Sequence, residues 1–150
     1  ADFEDGPDGG PVAVSQPGVT FQGTYNTATF GWVFEDSAPG YTGFEGSDYF
    51  GRPESDVESI KISFSEPQTF VLLTIGGFDG SQLAHDEYLV TLLWNDLPLA
   101  PPAQFFNNPA TETWTTRGLQ SLNNVGFNAI SLTVANDPSP LYVDDLVHCH

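Results

Sequence analysis

Positive charge is almost missing from this chain. Three Lys plus Arg stand against 20 Asp plus Glu in 150 residues, a formal net charge of −17. Phosphate backbones are bound by Lys and Arg, so nucleic acid is excluded as a partner, and an anionic membrane surface is disfavoured. Cysteine is nearly missing as well. The single Cys149 excludes an internal disulfide. Methionine is absent. Long apolar runs are lacking too. The longest, Phe70 to Phe78, is interrupted by Thr74, Gly76 and Gly77, well short of the ~18 residues a membrane helix needs, so membrane insertion is not expected. No stretch sustains a 3.6-residue apolar period with caps, beyond one expected helical turn near Ser81 to Asp86.

Catalytic spacings are also wanting. There is no Gly-x-Ser-x-Gly elbow, no Ser-His-Asp arrangement, no EF-hand loop, no zinc site and no phosphate loop. His85 with Asp86 suggests acid–base chemistry, but a lone loop histidine is read as solvated. Paired carboxylates for glycoside hydrolysis are available only because acids are abundant, which is no signal without geometry. The chain is therefore read as a non-enzyme with no catalytic residues, and a small glycan-processing enzyme stands as a third reading. His148-Cys149-His150 looks like a soft-metal cluster, yet adjacent side chains of an extended terminus point opposite ways, and a frayed tail is expected.

What is present is β chemistry. Apolar residues make up 39% of the chain and aromatics 13%, enough to oppose disorder despite the charge. The length suits one domain, 1–150, with a real core. In Val57 to Glu66, Ile60, Ile62 and Phe64 alternate with Ser59, Lys61, Ser63 and Ser65, the pattern of a half-buried strand. Thr69 to Phe78 reads as a central strand, and Glu87 to Trp94 follows, closed by a turn at Asn95-Asp96. Leu97 to Leu99 is a short return strand, and Pro101-Pro102 rules out a regular central strand beyond it. Thr111 to Arg117 and Phe127 to Val134 come next, the latter with Ile130, Leu132 and Val134 inward. Earlier candidates are Ala1 to Asp5, Val12 to Val14, Val19 to Phe21 and Thr29 to Phe34. Short strands at this spacing, divided by Gly and Pro turns, imply an all-β antiparallel β-sandwich. Glu35 to Pro53, with four glycines, is a long irregular loop of the kind that is usually functional.

The closing strand carries the chemical puzzle. In Pro140 to Val147, alternation puts Tyr142, Asp144 and Leu146 on one face and Val143, Asp145 and Val147 on the other. Two adjacent carboxylates on an apolar strand need partners, and a chain this poor in cations points to a bound Ca²⁺, which prefers carboxylate and carbonyl oxygens. Asp2-Phe3-Glu4-Asp5-Gly6 supplies a second acidic strand. Asp-Phe-Glu-Asp-Gly near the start with Leu-Tyr-Val-Asp-Asp-Leu near the end resembles the calcium-binding jelly-roll sandwiches of carbohydrate-binding modules and MAM-type adhesion domains. The resemblance implies a jelly-roll fold and a structural calcium held by Glu4 and Asp145, with Asp2 and Asp144 as substitutes.

It also implies a sugar ligand. Exposed aromatic faces stack on sugar rings while polar groups select hydroxyls. Trp114, in Thr-Glu-Thr-Trp-Thr-Thr-Arg, shares a strand face with Glu112 and Thr116. Tyr41, Tyr49 and Arg52 are the platform candidates on the long loop. Trp32 reads as core, and Trp94 as core or strand end. The function expected is a secreted, lectin-like module that binds polysaccharide or glycan outside the cell or on its surface. Ala1 suits a mature N-terminus left by a removed leader. The alternative is a self-associating matrix or filament protein that uses its Ser/Thr-rich strand faces.

Overall fold

A computed structural model describes residues 18–25, 28–30, 59–77, 86–107, 114–134 and 141–149. Ten strands run through them: β1 (Val19–Tyr25), β2 (Ala28–Phe30), β3 (Ser59–Gln68), β4 (Phe70–Gly77), β5 (Asp86–Trp94), β6 (Leu97–Pro98), β7 (Ala103–Asn107), β8 (Trp114–Gln120), β9 (Phe127–Val134) and β10 (Leu141–Cys149). The only helical element among the described residues is a 3₁₀ turn, Leu122–Asn124. All pairings between these strands are antiparallel.

Two sheets result. The larger follows the order β2-β1-β3-β9-β5, with β6 and β7 pairing successive parts of β5, and the smaller is β10-β4-β8. Alternating side chains explain how they stack. Ile60, Ile62 and Phe64 of β3, Ile130 and Leu132 of β9, and Tyr88 and Val90 of β5 are buried from one sheet. Val71, Leu73 and Ile75 of β4, Leu119 of β8, and Val143 and Leu146 of β10 are buried from the other, and both sets join one cluster. The architecture is therefore the expected sandwich, with β4 central in its sheet as its continuous apolar run requires.

Turn chemistry fixes the register of β5. Asn95 and Asp96 both have positive φ, 49° and 65°, the conformation a two-residue hairpin demands. The Asn95 N–H donates to Asn128 Oδ1 at 2.9 Å, and Asn128 Nδ2 donates to Asn95 Oδ1 at 3.1 Å, which ties the turn to β9. The strand pairing stops after Pro98, Pro101-Pro102 lie outside any strand as expected, and β7 then resumes the pairing from Ala103. At the entry to β1, Gly18 has φ of 91° and accepts the Ser65 N–H at 2.7 Å. A Cβ there would stand 2.6 Å from Ser65 Oγ, so only glycine fits.

The closing strand departs from simple alternation. Asp144 pairs with Thr74 and Val147 with Leu72, so Asp145 and Leu146 together oppose Leu73. This is a β-bulge. It puts Leu146 into the core beside Val143, three residues away, and leaves Val147 largely exposed. The expectation that Leu146 and Val143 occupy opposite faces is corrected by that one extra residue.

The fraying expected at the C-terminus does not reach His148 and Cys149, which belong to β10. His148 pairs with Val71, and its Nδ1 lies 3.0 Å from Oε1 of buried Gln68. Its ring sits 5.6 Å from that of Phe64. Gln68 Nε2 donates to the Glu66 carbonyl at 2.7 Å. The histidine thus links the closing strand to β3 in the opposite sheet.

Candidate functional site

The outward face of the three-stranded sheet is set by one hydroxyl contact. Thr74 Oγ1 and Thr116 Oγ1 are 2.9 Å apart, so these two paired residues share a face. Leu73 and Leu119, of the other parity, face the core. Registry then orders the rest of the outer face into rows. One row is Asp144, Thr74 and Thr116, and the next toward the strand ends is Tyr142, Gly76 and Trp114. On the other side come Val147, Leu72 and Gly118, then Cys149, Phe70 and Gln120.

Two glycines in this face do different things. Gly118 leaves room for the Phe70 ring, since a Cβ there would come within 3.2 Å of it. Gly76 separates two aromatic register positions, with no side chain of its own between them. By register, two aromatic residues flank a glycine beside a row that holds Asp144 and the exposed Thr116, a composition that suits sugar stacking: apolar rings for pyranose faces, and oxygens for hydroxyls.

Thr74 is 2% exposed although it stands on this outer face, whereas Thr116 is open to solvent. Replacing Thr74 with Val keeps the shape and removes one hydroxyl. Thr116 can turn to water, so the loss is limited to the net worth of one hydrogen bond, about 1 kcal/mol. Urea unfolding of Thr74→Val checks this; a change above about 2 kcal/mol would mean the pair belongs to a larger network.

The expected site residues divide accordingly. Trp114 and Asp144 fall in adjacent rows of one face, and Asp145 falls at the bulge. Asp2, Glu4, Tyr41, Tyr49 and Arg52 lie outside the described residues, as do His85 and most of the expected helical turn. Among the described residues no group of three or more His, Cys, Asp or Glu is gathered for a metal. Tyr142 was not singled out as a ligand contact from sequence. The available signals were its place in the same alternation as Asp144 and the Gly76-Gly77 pair, which ends a strand rather than opening a loop.

Lys61, on the outward parity of the larger sheet, is spent on a surface ion pair with Asp96 at 2.5 Å. Such an exposed pair contributes little to stability.

No family model matches the chain, and no curated protein sequence is significantly similar to it. Solved structures do resemble its fold. The K3 cleaved adhesin domain of Lys-gingipain from Porphyromonas gingivalis aligns with TM-score 0.57 at 14% identity, covering 99% of this chain and 95% of that one. A family 35 carbohydrate-binding module from Clostridium thermocellum aligns with TM-score 0.48 at 20% identity over 85% of this chain and 88% of that one. A CBM35 from Paenibacillus barcinonensis gives TM-score 0.45 at 17% identity over 91% and 95%. The likeness to the adhesin domain extends over nearly the whole of both chains and is a likeness of fold. No helix among the described residues is long and apolar enough to cross a membrane.

Proposed function

We propose that the chain is a non-catalytic carbohydrate-binding module that works outside the cell or on its surface, docking glycan on the outer face of β10-β4-β8. The observation that supports this reading is the register row Tyr142–Gly76–Trp114 lying next to the row that holds Asp144 and the exposed Thr116. A rigid sheet holds both rows at fixed spacing, which lowers the ordering cost of binding. The net charge of −17 repels uronates and sulfated chains, so neutral glycans are the favoured class. Affinity electrophoresis through gels containing neutral and acidic polysaccharides tests the proposal. Retardation in a neutral gel supports it, and free migration through every gel rejects it.

A structural calcium belongs to the same proposal, with Glu4 and Asp145 as ligands and Asp2 and Asp144 as substitutes. The bulge supports it. An inserted residue is left out of the ladder, and here that irregularity falls on Asp145-Leu146. Ca²⁺ takes about 6–8 oxygens, backbone carbonyls included, so a locally unladdered acidic segment suits it. Calcium that binds only the folded chain stabilises it by about 2.7 kcal/mol at a hundredfold excess over Kd. Thorough chelation should then lower the melting temperature by several degrees, and calcium should restore it. An unchanged melting curve would remove the metal from the proposal while leaving the glycan face standing.

A further inference from the structure

Exposed large apolar side chains are not scattered over the described residues. Six are exposed: Trp94, Leu97, Leu99, Leu122, Val125 and Val147. The first five belong to two neighbouring segments at one side of the sandwich. Registry explains three of them. Val90, Leu92 and Trp94 share the inward parity of β5, Trp94 pairs with Leu97, and the Leu99 N–H donates to the Leu92 carbonyl at 3.0 Å. The inward face of the larger sheet therefore continues through Leu92 to the hairpin end, where it becomes exposed instead of covered. Leu122 and Val125 stand on the turn that follows β8, 77% and 49% exposed.

A cavity of about 450 Å³ opens between these segments, with Val90, Leu92, Leu99 and Pro101 on one side and Leu122 and Val125 on the other. That volume falls within the range of small-molecule sites, about 300–1,000 Å³. Among the described residues its lining contains no charged one, in a chain whose net charge is −17. Polar rim groups are engaged locally. Gln120 Nε2 donates to Asn124 Oδ1 at 2.6 Å, and the Ser121 hydroxyl donates to the Val125 carbonyl. Asn123 and Asn124 adopt positive φ, 63° and 53°, a conformation that Asn tolerates, and Leu122 and Val125 on either side of them are exposed.

We propose that this cavity is a second binding site, separate from the glycan face, for an uncharged hydrocarbon group, alkyl or aryl. Three observations select that occupant. The lining is mainly apolar, Gln120 and Ser121 are turned to partners within the turn, and no charged side chain among the described residues lines the space. A second copy of the chain is a poor occupant, because two surfaces of −17 repel except where salt screens them. An anionic membrane is disfavoured by the same sign.

The test uses N-phenyl-1-naphthylamine, an uncharged aromatic probe, with the whole chain. Its fluorescence should rise saturably with one site per chain. The double variant Leu122→Asn/Val125→Asn changes only exposed side chains and should weaken the probe about tenfold or more. Its melting temperature should stay within a few degrees, and its retardation in polysaccharide gels should not change. Conversely, Trp114→Ala should leave the probe affinity unaltered, which separates this site from the glycan face whatever becomes of that reading. No saturable signal, or equal affinity in the double variant, would overturn the proposal. So would sedimentation showing a wild-type dimer that the double variant dissolves, because the patch would then be a contact between copies.

Discussion

Phe127→Ala should lower stability by about 3–5 kcal/mol, the usual cost of emptying a buried aromatic site. Phe127 is fully buried, and its ring meets that of Phe64 edge to face, with centroids 6.2 Å apart and planes at 74°. It begins β9 opposite Gln68, the residue that also contacts His148. Truncation would thus remove apolar burial, leave a cavity, and loosen the packing that seats Phe64 between β9 and the closing strand. Against a total of about 5–15 kcal/mol for a domain, this is a large fraction. The urea midpoint should fall by about 1 M or more. A fall below about 0.3 M would show that the site collapses around the missing ring and that Phe127 does not anchor the core.

Joint replacement of Trp114 and Tyr142 with alanine should abolish polysaccharide retardation while the fold persists. Each ring that stacks on a sugar removes apolar area from water, about 1.5–3 kcal/mol when burial is complete, so each single variant should bind about tenfold more weakly. The two positions flank Gly76 in one row, so one glycan can engage both and their effects need not add. Gly76→Leu is the complementary change. It fills the gap between the two positions and should weaken binding without removing either ring. Binding that survives the double variant but disappears with Tyr41→Ala or Tyr49→Ala would move the site to the Glu35–Pro53 loop.

Much of the sandwich was written in alternation. Ile60, Ile62 and Phe64, then Ile130 and Leu132, announced the buried faces of β3 and β9 because antiparallel strands bury every second residue. The apolar continuity of β4 announced a strand flanked on both sides. Other features depend on partners and left no local mark. The bulge at Asp145-Leu146 exists only because β4 offers one residue, Leu73, where β10 offers two. His148 looks like a terminal residue until Val71 pairs with it and Gln68 meets its ring. β7 is short and follows two prolines, so only its pairing with β5 defines it.

The candidate glycan face was half legible for the same reason. Trp114 was visible as an aromatic among Thr and Glu. Its alignment with Tyr142 across Gly76 is a property of register, and register is fixed by strands distant in sequence.

The placement of β4 between β8 and β10 has a consequence for synthesis. A ribosome delivers β4 long before it delivers Leu141–Cys149. Until then one whole flank of β4 has peptide groups with no mate, and Val71, Leu73 and Ile75 await Val143 and Leu146. Such a flank invites pairing with neighbouring nascent chains. The surplus of carboxylates is present from the first residues onward, so mutual repulsion guards the unfinished sheet during that interval, a service distinct from anything the finished molecule asks of its charge.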